Sequence, residues 1–171
     1  MKKMIAILLI LAFAGFGLFA ADESAQESAT IIVKSSVSDF SAFGVTTGKI
    51  ANTGAFNSVK KFQEAVSSSV ETTIVMLDLK APVVVGYLSA INNTKAPVVL
   101  AISVSTLTSP NGVVELTVTP EAQTIPASPL NSFASLKDAP IRIKEKTSGS
   151  AALAPAGTYN AMITIALTTT I

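Results

Sequence analysis

The chain of 171 residues contains no cysteine and no histidine. Without cysteine it can form no disulfide and offers no thiol nucleophile, so its stability has to come from the burial of apolar side chains. Without histidine, the commonest general base and a usual metal ligand are both missing. These absences predict a protein that is not an enzyme and that holds no metal and no cofactor.

Charged residues are scarce as well, at 13% of the chain, and the net charge is +1. No basic run or patch is visible, and this argues against a nucleic-acid partner. Apolar residues make up 49% of the chain. A composition this apolar is typical of a folded protein with many buried strands and does not fit disorder.

The N-terminus has the layout of a secretory signal peptide. Lys2 and Lys3 precede an uncharged apolar run over 4–20, and the polar segment ADESAQES follows. This order predicts export, with cleavage after Ala20 or Ala21 and no stable membrane insertion afterwards. A retained helical anchor is the alternative, since a membrane span needs about 20 apolar residues.

The predicted organisation has three parts. A signal peptide covers 1–21, a polar lead covers 22–28, and a single β-sandwich domain covers 29–171. The expected location is the periplasm, the cell surface or the medium of a bacterium. At about 150 residues, the exported part is long enough to bury one sizeable core.

Apolar and polar residues alternate along most of the predicted domain, as they do in half-buried strands. The clearest turn signal is Ser109-Pro110-Asn111-Gly112, where Pro sets one backbone angle and Asn-Gly tolerates the positive φ of a hairpin. About seven or eight short strands can be counted. This series predicts an all-β fold, an antiparallel β-sandwich of immunoglobulin type.

Three further segments carry specific expectations. The segment TTIVMLDL predicts a strand with Val75, Leu77 and Leu79 on one face, and the Pro/Ser-rich stretch 120–135 predicts a loop. One segment has helical spacing and predicts a short helix, with its apolar positions at Ala55, Val59, Phe62 and Val66.

Two features have both a functional and an ordinary interpretation. Asn92-Asn93-Thr94 spells a glycosylation acceptor, but such triplets are frequent by chance and the leader looks bacterial. Tyr87 and Tyr159 could line a sugar-binding surface. A tyrosine in the inward series of a strand is more often a core residue with its hydroxyl at the rim.

Three segments resemble the secreted pilin-like domains of bacteria, which include the chaperone–usher fimbrial subunits and the spore-coat-U-type proteins. FSAFGVTTG contains a Phe-Gly near the first strands, VGYLSAINNTKAPVVLAISVST has an Asn-Thr turn before a middle strand, and PAGTYNAMITIALTTTI ends the chain. In the last segment, Ala156 to Tyr159 match the pattern that opens the family's final strand. The resemblance implies an incomplete immunoglobulin-like fold whose missing strand comes from the next subunit.

Strand donation needs an apolar segment ahead of the fold. Because the lead is polar, the segment ATIIV at 29–33 is the only candidate donor, and a complete sandwich that needs no donor is the alternative. The side chains predicted to carry assembly lie on the first and last strands: Ile31, Val33, Tyr159, Ile163, Ile165 and Leu167.

The predicted function is that of an exported, non-enzymatic structural or adhesive surface protein, assembling as a pilin-like subunit by strand pairing. Its partners would be copies of itself or another surface protein, met through edge strands. The alternative is a periplasmic or secreted β-sandwich module that binds carbohydrate or protein.

Overall fold

The computed structural model describes residues 28–35, 41–129 and 132–168. The predicted signal peptide and the predicted polar lead, apart from Ser28, lie outside these residues. Over the described ranges, no helix has both the length and the apolar character that crossing a membrane requires.

Strands dominate the described residues. The eleven strands are β1 (Ser28–Lys34), β2 (Ser41–Thr46), β3 (Ser69–Val75), β4 (Val83–Asn92), β5 (Val98–Val104), β6 (Leu107–Ser109), β7 (Gly112–Val114), β8 (Leu116–Thr119), β9 (Ala122–Ile125), β10 (Ala134–Glu145) and β11 (Tyr159–Thr168). Helix α1 spans Val59–Ala65, and two 3-10 helices span Thr53–Asn57 and Met76–Lys80. The predicted all-β fold with one short α-helix is confirmed. The strands outnumber the expected seven or eight because several are only three or four residues long.

The strands form two sheets. The first has the order β3-β1-β11-β5-β9, with the β6–β7 hairpin attached to β11, and the second has the order β2-β4-β10-β8. Neighbouring strands are antiparallel with one exception, since β1 runs parallel to β11. The predicted antiparallel arrangement is therefore wrong for the first and last strands. Parallel neighbours need a crossover connection, and here most of the chain lies between the two.

One hydrophobic core lies between the two sheets. Side chains from both sheets contribute to it, among them Ile31, Val33, Phe43, Val45, Leu88, Leu100, Ile141, Tyr159 and Ile163. Most occupy alternate positions of their strands, and the intervening positions face outward. The period-two alternation therefore marks the inner face of each sheet.

A smaller apolar cluster covers part of the outer face of the second sheet. Ala42 and Ile91 project from that face and contact Ala55, Phe56 and Phe62 of the helical segment. The rings of Phe56 and Phe62 lie 5.7 Å apart in a tilted arrangement. The predicted helix is therefore present and covers part of the second sheet. A break at Ser58 divides the segment into a 3-10 helix and α1.

Gly44 is required where the chain leaving α1 approaches β2. A Cβ atom at this position would overlap Cγ2 of Val66, the residue that follows the helix. Only glycine permits so close an approach to the strand. The glycine of the Phe43-Gly44 pair is therefore explained by packing against Val66.

A β-bulge in β10 fastens the loop ahead of the helical segment. The register slips opposite Ser89, and Asp138 there has a φ of 48°, which aspartate tolerates better than most residues. Oδ1 of Asp138 accepts a hydrogen bond from the backbone N–H of Ile50 at 2.9 Å, and its own N–H donates to Oγ of Ser89 at 3.0 Å. The bulge thereby positions a side chain that joins loop and sheet.

Two local expectations are corrected. The predicted strand TTIVMLDL ends at Val75 and continues as a 3-10 helix, so Met76 and Leu79 are buried while Leu77 is 53% exposed. Within the predicted loop 120–135 the structure places the four-residue strand β9. The predicted hairpin is confirmed, with Ser109 paired to Gly112.

Candidate functional site

The structure brings the predicted assembly strands together. β1 and β11 pair in parallel over six positions, from Ala29 opposite Tyr159 to Lys34 opposite Thr164. Val33 lies opposite Ile163 in this register. The two strands at the ends of the described chain are therefore direct neighbours at the centre of the first sheet.

The six residues predicted to carry assembly point into the core. Ile31, Val33, Tyr159 and Ile163 are fully buried, Ile165 is 3% exposed, and Leu167 is partly buried against the same cluster. As an upper estimate, burial of each large apolar side chain stabilises the fold by about 1.5–3 kcal/mol. Their packing is intramolecular in this structure, and their role in assembly stays a prediction.

Both edges of this strand pair are occupied. β1 also pairs with β3 over seven residues, from Ser28 opposite Val75 to Lys34 opposite Ser69. β11 also pairs with β5 over six residues. The place beside β11 is thus filled by the chain's own β1, the strand that was predicted as the only candidate donor.

The outer face of the β1–β11 pair carries two adjacent apolar side chains. Ile32 and Met162 are paired in the register and are 37% and 41% exposed. Thr164 on the same face of β11 is exposed and lies opposite the exposed Ser103 of β5. These facing positions are accessible to water and lie outside the core.

The start of β11 is held in place by its tyrosine. Tyr159 donates a hydrogen bond from Oη to the backbone carbonyl of Pro155 at 2.9 Å. A Cβ atom at Gly112 would come within 2.9 Å of that oxygen, so the hairpin needs glycine there. Because Tyr159 is fully buried, it does not line a sugar-binding surface, and Tyr87 is only half-buried.

A buried carboxylate organises the loop that leads into β11. Glu145, at the end of β10, is 2% exposed. Its carboxylate accepts hydrogen bonds from the backbone N–H groups of Gly149 at 2.6 Å and Ala151 at 2.8 Å. The bond from Ala151 first, and then that from Gly149, hold the pKa of Glu145 below its ordinary value of 4.5.

Glu145→Gln is expected to lower the Tm at neutral pH. As the pH falls, the Tm of the variant should change less than that of the wild type. A carboxyl whose pKa is depressed by folding stabilises the fold above its ordinary pKa, and this contribution is lost as the pH falls through the folded-state value. The gap in Tm between wild type and Glu145→Gln should therefore narrow below about pH 4.5. Thermal melts followed by circular dichroism across this range measure it.

The matched control for this prediction is Glu115→Gln. Glu115 is exposed and forms an ion pair with Lys146 at 2.9 Å, with both side chains more than half exposed. Exposed pairs of this kind contribute little, so the control should melt like the wild type. A gap for Glu145→Gln that stays constant down to acidic pH would contradict the assignment.

Sequence reasoning missed Glu145, although one signal was present. In the segment IRIKEK, Ile141 and Ile143 alternate with charged residues, and Glu145 continues the inward series. Both isoleucines are buried, as the alternation predicts. A carboxylate on the inward face of a strand indicates either a bound partner or hydrogen bonds to backbone N–H groups of a nearby loop. The structure shows such hydrogen bonds.

A buried amide joins two loops at one end of the sandwich. Asn92 is fully buried. Its Nδ2 donates to the carbonyl oxygens of Ala96 and Pro126, both at 2.8 Å, and its Oδ1 accepts from the N–H of Thr94 at 2.9 Å. Since this amide is enclosed and bonded, the Asn-Asn-Thr triplet has a structural role and offers no accessible glycosylation acceptor.

Acidic residues do not converge anywhere in the part of the chain that the structure describes. No three of its Asp and Glu residues lie close enough together to hold a metal ion.

No protein-family model matches the chain, and no curated protein is significantly similar to it. Its function therefore has to be inferred from its own residues and their arrangement.

Proposed function

We propose that the chain is an exported, non-enzymatic surface protein that assembles by exchanging its first strand, as a pilin-like subunit of immunoglobulin-like fold. The observation that carries this proposal is the position of β1. The first strand lies parallel beside the last one, and it contributes Ile31 and Val33 to the core. The same place beside β11 can take the β1 strand of another copy.

Exchange would replace β1 between its two neighbours, β3 and β11. Because β1 precedes the other strands of the described residues, it can leave the first sheet without changing the order of β2 to β11 along the chain. In a neighbouring copy it would form the same backbone hydrogen bonds and bury the same side chains. The balance between self-pairing and exchange would then depend mainly on protein concentration.

Two further features support an immunoglobulin-like sandwich. The hydrogen bond from Tyr159 to a carbonyl four residues upstream resembles the tyrosine corner of such domains. The arrangement of two sheets around one core is also typical of immunoglobulin-like sandwiches. Export is supported by the pattern of residues 1–21, with a basic start followed by an apolar run.

Cysteine cross-linking can test the exchange directly, because the natural chain has no cysteine. Ile32 and Met162 face each other across the β1–β11 pair and are partly exposed. Facing residues of neighbouring strands have Cα atoms about 5 Å apart, which suits a disulfide. Full-length Ile32→Cys is mixed with full-length Met162→Cys, the two are unfolded and refolded together, and the mixture is oxidised.

Strand exchange predicts a disulfide-linked heterodimer in this mixture, with a yield that rises with protein concentration. The control mixture combines Ser103→Cys with Thr164→Cys, which face each other on β5 and β11. These strands stay in one chain under the proposal, so the control should give no heterodimer. If neither mixture cross-links at any concentration, while the double variant Ile32→Cys/Met162→Cys forms an intramolecular disulfide, the exchange proposal is wrong.

A further inference from the structure

A cleft of about 550 Å³ lies where the β4–β5 loop meets the segment before β10 and the end of the first 3-10 helix. Its volume is within the range of roughly 300–1,000 Å³ that is usual for small-ligand sites. Polar and aromatic side chains line it: Asn57, Asn93, Lys95, Ser128, Ser132 and Phe133. None belongs to β1 or β11, so this cleft is separate from the proposed assembly strands.

The walls of the cleft are held together by hydrogen bonds. The buried amide of Asn92 joins the β4–β5 loop to the carbonyl of Pro126 at 2.8 Å. The backbone N–H of Ser128 donates to the carbonyl of Thr94, also at 2.8 Å. These bonds join the β4–β5 loop directly to the segment 126–128, and both contribute residues to the lining. These two segments are therefore held in place before a ligand arrives, which lowers the entropy cost of binding to them.

The aromatic side of the cleft rests on packed residues. Phe133 is partly buried and contacts the cluster that contains Phe56 and Phe62. Phe133 thus both packs against this cluster and lines the cleft. A supported aromatic ring of this kind offers a flat apolar surface to a ligand.

The hydroxyl of Ser128 already donates to backbone carbonyls, whereas three other polar side chains of the lining have no such partner among the described residues. The side chains of Asn57, Asn93 and Lys95 form no hydrogen bond or ion pair with any residue that the structure describes. Amides can both donate and accept, which suits the hydroxyl groups of a sugar. The lining contains no Asp or Glu, so Lys95 gives the cleft a positive charge.

We infer that this cleft binds an acidic saccharide. Lys95 pairs with a carboxylate of the sugar, the amides of Asn57 and Asn93 bind its hydroxyl groups, and Phe133 contacts the apolar face of a ring. A neutral sugar would leave the ammonium group unused, and a nucleic acid would need more positive charge than a single lysine supplies. The inference concerns each copy of the chain and holds whether or not the copies assemble.

Titration of the full-length protein tests this site. The acidic probe is trigalacturonic acid, and the neutral probe is galactotriose; binding is measured by calorimetry. The acidic probe should bind saturably, and at least about tenfold more tightly than the neutral one, because a charged hydrogen bond is lost with the latter. Added salt should weaken the acidic probe more than the neutral one.

Variants locate the binding in the cleft. Lys95→Gln should weaken trigalacturonic acid about tenfold and leave galactotriose unchanged. Asn93→Asp should also weaken the acidic probe, since it places a like charge beside the sugar's carboxylate. Lys60→Gln, on an exposed position of α1 outside the lining, is the matched control and should bind like the wild type.

The altered positions Lys95 and Asn93 are exposed, so all of these variants should keep the wild-type Tm. Either of two results would overturn the inference. One is the absence of saturable binding of trigalacturonic acid to the wild type. The other is an affinity for it that Lys95→Gln and Lys60→Gln change equally.

Discussion

Tyr159→Ala is expected to lower the free energy of unfolding by about 3–5 kcal/mol. Tyr159 is among the largest fully buried side chains of the described residues and lies in the core between the two sheets. Its removal leaves a cavity and also takes away the hydrogen bond to Pro155. Since a domain of this size is stable by only about 5–15 kcal/mol, urea denaturation should show a marginally folded protein.

Tyr159→Phe separates the ring from its hydroxyl group. This variant keeps the core filled and loses only the bond to the carbonyl of Pro155, so it should cost about 0.5–1.5 kcal/mol. Asn160→Ala, at the exposed neighbouring position, should stay within about 0.5 kcal/mol of the wild type. Equal losses for the alanine and phenylalanine variants at 159 would show that the ring does not support the core as described.

Asn92→Ala is expected to cost about 2–3 kcal/mol of unfolding free energy. The variant leaves the carbonyl groups of Ala96 and Pro126 without the donor that Nδ2 provides. It also removes the acceptor for both the N–H and the Oγ of Thr94. A partly satisfied buried network is costly because its remaining polar groups are shielded from water. Urea denaturation of the purified variant measures the loss.

Two further variants, one at Asn93 and one at Asn92 itself, make this prediction specific. Asn93→Ala changes an exposed amide of the same loop and should stay within about 0.5 kcal/mol of the wild type. Asn92→Asp preserves the acceptor for Thr94 but not the two donated bonds, and it should be destabilised as well. A wild-type stability for both Asn92 variants would mean that other contacts hold the two loops.

Local patterns predicted the parts of the fold that local physics decides. The alternation along Tyr159 to Thr168 placed the inward side of β11 correctly, because burial of every second residue is the defining property of such a strand. The hairpin at Ser109 to Gly112 forms as predicted, with Pro110 to set one backbone angle, but neither Asn111 nor Gly112 has the expected positive φ. At Met76 to Leu79, however, a strand spacing and a 3-10 spacing both fit the apolar residues, and the sequence alone does not separate them.

Long-range and buried polar features were harder to foresee. Alternation shows that β1 has an inner face, but it does not show which strand lies beside it or in which direction. Asn92 and Glu145 have the side chains of surface residues, and their burial depends on donors and acceptors that folding brings near. The cleft combines segments that are distant in the chain, so no single motif marks it.

The parallel pairing of β1 with β11 also governs when the molecule can finish folding. Ala29 and Tyr159, which face each other in the sheet, are about 130 positions apart in the chain. The residues between them must all be available before this pair can meet, so the central part of the first sheet cannot close until β11 is present. Until then β1 lacks its neighbour β11, and its apolar side chains are not covered from that side. At this stage β1 can most easily pair with another copy of the chain.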